Sequence, residues 1–185
     1  MSSKQKNERE EHAVVLDYLN HGHLQKSSRT PIIQVVGKSQ FTLLELVPKE
    51  DQSFELLEEI YIGGKDRPKI KHVKKRVSHK DLTTTAQGEL KHAVKKIVED
   101  KEDEYVDFFN NAKPLSTRTH LLQMLPGIGK KHMQQIVKER RIKEFESFDD
   151  LKNRVKSMKK PAELVTKRIL SELEGNEKNF LFTKR

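Results

Sequence analysis

The spacing of apolar residues changes near Asp81, and this change divides the chain into two kinds of structure. Before it, apolar residues form short, often β-branched runs separated by glycine and proline, which is typical of strands. After it, they recur every three or four residues, which predicts helices. We therefore predict an α+β protein in which the strands precede the helices.

The first zone predicts a small β-barrel. Its predicted strands are His12–Leu19, Pro31–Gly37, Gln40–Val47, Phe54–Ile62 and Pro68–Val77. Long helices are not predicted between them, and five strands is the number found in an OB-fold barrel. We expect an OB-like β-barrel domain over residues 12–80. A disordered tail, residues 1–11, precedes it because this segment has almost nothing to bury.

The second zone, residues 81–185, predicts an all-helical domain. Ala86–Val98 places its apolar residues on one helical face. Further helices are predicted at Ser116–Met124, Lys130–Arg141, Ser147–Met158 and Pro161–Glu174. Ser147 is a sensible first residue for its helix because serine side chains cap helix starts well.

The charge of the chain indicates a polyanionic partner. There are 37 Lys and Arg against 28 Asp and Glu, which gives a formal net charge of +9. Such a chain attracts nucleic acid or an anionic membrane. We expect no membrane-spanning role, because none of the apolar runs approaches the length of a bilayer crossing. The absence of cysteine fits a reducing compartment, and we expect a cytoplasmic protein.

The segment 125–131, Leu-Pro-Gly-Ile-Gly-Lys-Lys, predicts a tight turn between two helices. Proline ends the first helix, and the glycines allow backbone angles and close approaches that other residues forbid. The first N–H groups of the second helix have no internal partners and form a phosphate site. The residues predicted to bind nucleic acid here are Gly127, Ile128, Gly129, Lys130, Lys131 and His132. The alternative is a glycine stop between two packed helices with solvated lysines.

These residues resemble the helix-hairpin-helix family, whose hairpin reads hydrophobic-x-Gly-hydrophobic-Gly before a basic amphipathic helix. The match covers about residues 116–141. The resemblance implies a monovalent cation held by the backbone carbonyls of Gln123, Leu125 and Ile128. A second Gly-hydrophobic-Gly is absent, and Val155–Pro161 stands where it would be. A second hairpin there would be degenerate and structural.

A second basic element lies in the last predicted strand. Between Lys65 and Lys80 there are eight Lys or Arg and one acid, Asp66. We predict a groove that follows a phosphate backbone, because the segment Glu45–Glu59 is acidic and the charge is therefore polarised. Strict alternation would place Lys71, Val73 and Lys75 on one face of the strand. The strand residues predicted to bind nucleic acid are Lys69, Lys71, Lys74, Lys75 and Arg76. The alternative is an edge strand that lysine protects from aggregation.

Catalytic residues are not predicted anywhere in the sequence. We interpret His21-Gly22-His23 as a loop, and Gly37-Lys38-Ser39 lacks the earlier glycine of a phosphate-binding loop. The acids cluster in Glu45–Glu59 and Glu99–Asp107, which look solvated. Glu139 is the one carboxylate of the hairpin segment, and neighbouring cations make it a poor metal ligand.

The chain as a whole resembles an archaeal family of uncharacterised proteins with an OB-like domain followed by a helix-hairpin-helix domain. The segments that carry the resemblance are residues 15–22 (VLDYLNHG), 41–48 (FTLLELVP), 108–112 (FFNNA) and 125–131 (LPGIGKK). The resemblance implies a nucleic-acid-binding protein whose genes sit among ribosome and transcription genes. That context favours RNA over DNA and suggests the ribosome or the transcription machinery as partners.

We therefore expect a non-enzymatic protein that binds RNA or DNA, mainly through the phosphate backbone. The first alternative is a nuclease or nucleic-acid-processing enzyme, which divalent-metal-dependent cleavage would reveal. The second is a protein–protein adaptor on a ribonucleoprotein, which would capture its partner independently of salt.

Overall fold

The computed structural model of the protein describes residues 9–23, 29–64, 66–156 and 158–184. Within these residues there are five β-strands followed by five α-helices. The predicted α+β class, with strands before helices, is thereby confirmed. Most of the predicted disordered tail, residues 1–8, lies outside the described residues.

The five strands form one antiparallel sheet that curls into a half-barrel. The strands are β1 His12–Leu19, β2 Ile32–Gly37, β3 Leu43–Pro48, β4 Glu59–Tyr61 and β5 Ile70–Arg76. The sheet order is β4-β1-β2-β3-β5, so β4 and β5 are its edges. β1 has the predicted bounds, whereas β4 is much shorter than the predicted Phe54–Ile62.

One face of the sheet carries a continuous apolar cluster. Its buried members are Ala13, Val15, Ile33, Val35, Leu44, Leu46, Ile60, Ile62 and Ile70. The rings of Tyr18 and Phe54 pack against this cluster and meet edge to face, with their centroids 5.3 Å apart. Burial of these mostly β-branched and leucine side chains is what holds the half-barrel together.

A carboxylate close to the N-terminus caps the turn between β2 and β3. Glu10 is 8% exposed and accepts hydrogen bonds from the backbone N–H groups of Ser39 (2.7 Å), Gln40 (2.8 Å) and Thr42 (3.2 Å). Gly37 makes room for it, since a Cβ there would lie 2.1 Å from the Glu10 carboxyl carbon. The tail predicted to extend through residue 11 is corrected here, because the folded chain already includes Glu10.

The start of α1 (Thr84–Asp100) is fixed by polar groups of the sheet. The hydroxyl of Thr83 accepts the Ala86 N–H (3.0 Å), which caps the helix, and donates to the carboxylate of Asp17 (2.6 Å). The Thr83 N–H donates to the side-chain oxygen of Gln34 (2.8 Å). Sheet side chains therefore satisfy groups that a helix start leaves without partners.

The described chain divides into two compact units. One contains the residues up to Ala93 together with residues 182–184, and the other contains Val94–Leu181. The division falls within α1, whereas the predicted domain boundary lies before this helix, between residues 80 and 81. The difference arises because the first half of α1 begins on the sheet.

The second unit contains the rest of the helices. They are α2 Glu102–Asn111, α3 Lys130–Ile142, α4 Phe148–Arg154 and α5 Pro161–Leu173. The predictions for α3 and α5 agree within one residue at each end, but α4 ends four residues before the predicted Met158. The helix predicted at Ser116–Met124 is wrong, because only Leu121–Met124 is helical and it is a short 3₁₀ turn.

Local hydrogen bonds explain the missing helix. The hydroxyl of Ser116 accepts the N–H groups of Arg118 (3.2 Å) and Thr119 (3.1 Å), and the Thr119 carbonyl accepts the N–H of Leu115 (2.8 Å). Serine and threonine side chains compete with helical hydrogen bonds in this way. Residues 115–119 therefore form a folded loop.

Arginine side chains close the ends of two helices in this unit. Arg140 donates to the carbonyls of Phe109 (2.9 Å) and Ala112 (2.8 Å) at the end of α2. Arg154 donates to the Lys143 carbonyl (2.6 Å), directly after the last residue of α3. The last carbonyls of a helix lack internal partners, so these bonds stabilise the packing of α2, α3 and α4.

A buried guanidinium joins α5 to the turn before the hairpin. Arg168 is 5% exposed and donates to the carboxylate of Glu172 (2.8 Å), which is 2% exposed. It also donates to the carbonyls of Met124 (3.0 Å) and Asn179 (2.5 Å) and pairs with the Glu177 carboxylate (2.8 Å). Four partners compensate the charge, as burial of an ion requires.

We expect the variant Arg168→Met to lose about 3–5 kcal/mol of unfolding free energy, because it leaves the buried Glu172 carboxylate without its cation. The double variant Arg168→Met/Glu172→Met should recover part of this loss, since it replaces both charges by apolar groups. Urea unfolding followed by circular dichroism measures both.

The matched control is Lys95→Ala, which breaks an ion pair with Glu99 (3.7 Å) whose side chains are 53% and 55% exposed. Exposed pairs contribute about 0–1 kcal/mol, so this variant should unfold almost as the parent does. Equal urea midpoints for Arg168→Met and the parent protein would contradict the structural role of the buried cation.

Candidate nucleic-acid interface

The hairpin turn joins the 3₁₀ turn to α3. Leu125 and Ile128 are buried (1% and 5% exposed), and the Ile128 N–H donates to the Leu125 carbonyl (3.2 Å). Gly127 between them has a φ of +80°, a conformation that residues with a side chain rarely adopt. The apolar pair anchors the turn, and glycine permits its shape.

Gly129 is the residue from which α3 begins. Its backbone is extended (φ −83°, ψ −178°), and its carbonyl accepts the first helical hydrogen bond from the Met133 N–H (3.0 Å). A side-chain hydrogen bond does not cap this helix. The N–H groups of residues 130–132 precede the first residue that can bond within the helix, so they are available to an anion. A Cβ added at Gly129 would meet no described atom within 4 Å, which shows that space in front of it is open.

The three residues after Gly129 have two different roles. Lys130 and Lys131 are exposed, so their charges are free to move. The ring of His132 lies with its Nδ1 3.0 Å from the carbonyl oxygen of Gly127, to which it donates. His132 therefore braces the hairpin with its ring while its backbone N–H lies in the first turn of α3.

His120, which precedes the 3₁₀ turn, is buried. Its Nδ1 accepts the Leu122 N–H (3.2 Å), and its own N–H donates to the side chain of Gln123 (3.0 Å), so it caps the 3₁₀ turn. Burial, assisted by the charge of Arg140, lowers the pKa of His120 below its ordinary value. The ring is therefore neutral at pH 7 and adds no positive charge.

The carbonyls predicted to hold a monovalent cation fit that role only in part. The Leu125 carbonyl already accepts the Ile128 N–H within the turn, and Ile128 itself is buried. The neighbouring Met124 carbonyl accepts the Arg168 guanidinium, which brings a fixed positive charge to this stretch of backbone. A cation on Gln123, Leu125 and Ile128 stays a prediction.

The basic strand β5 is an edge strand with two bulges. Its register with β3 shifts twice, so Lys71 and Lys74 are extra residues without a partner on β3. Val73 pairs with Leu46, and Lys75 pairs with Glu45. Because Glu45 and Leu46 are adjacent in β3, Val73 and Lys75 face opposite sides, which corrects the strict alternation expected for this strand.

The cations predicted on this strand fall into two groups. Lys69 pairs with Glu58 and lies over the ring of Phe54 (5.2 Å), and Lys75 lies 3.6 Å from the Glu45 carboxylate. By contrast, Lys71, Lys74 and Arg76 are exposed, and no carboxylate partner is found for them among the described residues. The second group is the part of the strand that is available to phosphate.

A buried polar row crosses the sheet, and sequence reasoning missed it. Gln34 and Glu45 are fully buried and neighbouring in register, and the Gln34 amide donates to Glu45 (3.2 Å). His23 lies 2.6 Å from the same carboxylate. Burial raises the pKa of Glu45, but hydrogen bonds from His23 and Gln34 and the nearby charges, including that of Lys75, lower it further than burial raises it. The segment Glu45–Glu59, expected to be solvated, therefore starts with a buried carboxylate.

The remaining candidates have structural roles. Glu139, expected to be paired with cations, lies 3.7 Å from the Arg154 guanidinium. His23, which the sequence predicts in a loop, contacts the Glu45 carboxylate. A signal for this contact is present in the sequence, because Gln34 and Glu45 are polar residues within apolar strand segments. Within the described part of the chain, three or more metal-ligating side chains do not gather at any point. Sequence reasoning also missed Arg118, because this exposed cation lies in a loop that was predicted to be helical.

Comparisons with known proteins give a family and two relatives. A family model described as "Protein of unknown function (DUF655)" matches residues 9–184. "Uncharacterized protein MJ0038" of Methanocaldococcus jannaschii is 43% identical over 177 residues, which cover 95% of this chain and 80% of that protein. The crystal structure of Af1531 from Archaeoglobus fulgidus matches with a TM-score of 0.88 and 38% identity, over 95% of this chain and 100% of that one. Among the described residues, no helix is long and apolar enough to cross a membrane.

The division of the β5 cations leads to a prediction about nucleic-acid binding. The triple variant Lys71→Gln/Lys74→Gln/Arg76→Gln should bind oligonucleotides more weakly and with a flatter salt dependence. Each lost phosphate contact removes about 0.7–0.9 from the slope of log K against log salt, so three contacts remove roughly 2 to 3. Fluorescence anisotropy titrations at several salt concentrations measure this slope.

The matched control is Lys69→Gln, since Lys69 lies on the same stretch but is already paired with Glu58. Its salt slope should equal that of the parent protein. An unchanged slope in the triple variant would show that this edge strand only prevents aggregation.

Proposed function

The chain belongs to the DUF655 family of proteins of unknown function, and we propose that it binds nucleic acid through the phosphate backbone, RNA in preference to DNA. Membership confirms the resemblance to an archaeal family of uncharacterised proteins. We also propose that the half-barrel is an OB-like module and that residues 116–141 form a helix-hairpin-helix element. The preference for RNA rests on the gene context that the resemblance implies.

The observation that carries the proposal is the open start of α3. Gly129 leaves the space in front of the first turn empty, and the backbone N–H groups there lack a capping side chain. Lys130 and Lys131 stand exposed at the same point. Backbone donors, a helix dipole and mobile cations together suit phosphate groups of any base sequence.

A second set of cations, on β5, supports the same chemistry. Lys71, Lys74 and Arg76 are exposed on an edge strand and unpaired with any carboxylate among the described residues. Stacking on bases has less support, because Phe41 is buried (2% exposed) and Tyr61 is only partly exposed (36%). We therefore propose that the protein contacts the phosphate backbone and not the bases. The proposed ligand is a nucleic acid of the ribosome or of transcription.

We expect Gly129→Ala to weaken binding about 10- to 100-fold, the loss that follows when one charge-assisted hydrogen bond to phosphate is blocked. The variant should fold normally, since its backbone angles suit alanine and the new Cβ meets no described atom within 4 Å. Gly127→Ala is a poorer test because its φ of +80° would strain alanine and confuse folding with binding. Anisotropy titration and thermal unfolding of the same samples separate the two effects.

The matched control is Gly88→Ala in α1, where a Cβ also meets nothing within 4 Å. Alanine within a helix is more stable than glycine by roughly 0.5–1 kcal/mol, so this variant should gain stability and keep its affinity. Parental affinity in a folded Gly129→Ala protein would remove the hairpin from the interface. Crosslinking in cells, with sequencing of the bound strands, then tests RNA against DNA.

We also expect no cleavage of RNA or DNA with Mg²⁺, with Mn²⁺ or without metal. Metal-dependent phosphodiester hydrolysis needs carboxylates that converge on one or two ions. Here Glu45 is engaged by His23 and Gln34, and Glu139 lies beside Arg154. A time course on labelled single- and double-stranded substrates measures turnover. Cleavage that a single acidic-residue variant abolishes, in a nuclease-free preparation, would establish the enzyme instead.

A further inference from the structure

A cavity of about 360 Å³ lies beside the start of α3. One wall is the loop that replaces the expected helix, with Ser116, Thr117 and Arg118. Lys130 and Met133 from α3 also line the cavity. The cavity therefore shares Lys130 with the hairpin and lies within the helical unit.

The loop wall has a fixed shape. The Ser116 hydroxyl accepts the N–H groups of Arg118 (3.2 Å) and Thr119 (3.1 Å), so its own hydrogen is left to donate elsewhere. The Thr119 carbonyl accepts the N–H groups of Leu115 (2.8 Å) and Ser116 (3.1 Å). A loop ordered by its own hydrogen bonds loses little entropy when a ligand binds.

The charge of the cavity is positive. Arg118 and Lys130 line it, and none of its lining residues carries a carboxylate. No ion pair to either cation is found among the described residues, and both side chains are exposed. His120 also lines the cavity, but its lowered pKa keeps its ring neutral. The lining therefore offers two uncompensated cations and several hydroxyl donors to an anion.

We propose that this cavity binds the terminal phosphate, with its nucleotide, at the end of a nucleic-acid strand whose backbone the hairpin holds. This inference rests on the proposed function, since the strand reaches the cavity through Lys130. A terminal phosphate is a monoester and carries a charge of about −1.5 to −2 at pH 7. An internal phosphodiester carries one negative charge, so two unpaired cations match the terminal group better.

The size and lining of the cavity indicate more than a bare phosphate ion. Its volume is at the lower end of the range of about 300–1,000 Å³ that is usual for small-molecule sites. Pro114 and Met133 add apolar surface on which the sugar and base would pack. The cavity thus accommodates one nucleotide, with its phosphate between Arg118 and Lys130.

The other cavity near the hairpin is less suited to phosphate. It has a volume of about 230 Å³ and is lined by Lys159, Lys160, Glu163, His132 and Gly127 together with apolar side chains. Lys160 pairs with Glu163 (2.8 Å), and this hydrogen bond lowers the pKa of the Glu163 carboxyl. An ionised carboxylate in the wall repels an anionic group.

The test compares one RNA oligonucleotide with a 5′-phosphate, with a 3′-phosphate and with hydroxyl groups at both ends. The protein should bind one phosphorylated form about tenfold more tightly than the hydroxyl form, the gain from one charge-assisted contact. Arg118→Gln should bring the ratio of the affinities for the phosphorylated and hydroxyl forms close to one, whatever its effect on the affinity for the hydroxyl form. Arg118→Lys should retain a preference.

The matched control is Lys131→Gln, which removes an exposed cation of the same helical turn that does not line the cavity. It should weaken all three oligonucleotides by the same factor. Equal binding of the three by the parent protein would overturn the terminal-phosphate site while the proposed function stands. Failure to bind any of the three oligonucleotides would overturn both the terminal-phosphate site and the proposed function.

A free nucleoside monophosphate provides a further test. If it binds as tightly as the phosphorylated strand, the cavity is a small-molecule site, and recognition of a strand end is contradicted.

Discussion

The guanidinium of Arg168 joins stretches of the helical unit that are distant in sequence. It holds the Met124 carbonyl at the end of the 3₁₀ turn and, with Glu172, lies almost wholly out of water. A buried ion tolerates little displacement, because any lost partner leaves charge in a medium of low polarity. The hairpin follows Met124 directly, so the bond from Arg168 in α5 fixes the position of the hairpin. The hairpin glycines then determine only the local shape of the turn.

The basic side chains of the protein fall into two groups: some bind backbone carbonyls within the fold, and others are exposed to solvent. Arg140, Arg154 and Arg168 use their planar donors on backbone carbonyls, where the geometry of arginine is well matched. The exposed positions at the start of α3 are lysines, whose compact charge on a flexible stem suits a phosphate chain without fixed register. The arginines bound to backbone carbonyls thus hold the helical unit rigid, while the lysines at the start of α3 stay adaptable.

The sequence predicted elements whose pattern is local, and it failed where distant contacts decide. β1 and α3 follow from residue spacing alone, and their bounds agree with the structure. The helix expected before the hairpin fails because Ser116 and Thr119 offer the backbone competing hydrogen bonds. The bulges of β5 depend on its pairing with β3, which no pattern within β5 encodes. The burial of Glu45 likewise depends on His23 and Gln34, which lie on other segments of the chain. The hairpin residues of the candidate interface follow from their residue types, whereas the pattern that predicts a helix over Ser116–Met124 hides the exposed position of Arg118.

The contact between Glu10 and Gly37 makes two positions that are distant in sequence depend on each other. A side chain at position 37 would collide with the Glu10 carboxyl group, 2.1 Å from the site of its Cβ. Loss of the carboxylate alone would leave the N–H groups of Ser39, Gln40 and Thr42 without their acceptor. A change at either position in this chain therefore disturbs the same turn, because both changes take the carboxylate away from these N–H groups. Gly37 thus acts at a distance in sequence, since the space left by its missing side chain is what lets a residue 27 positions earlier close the β2–β3 turn.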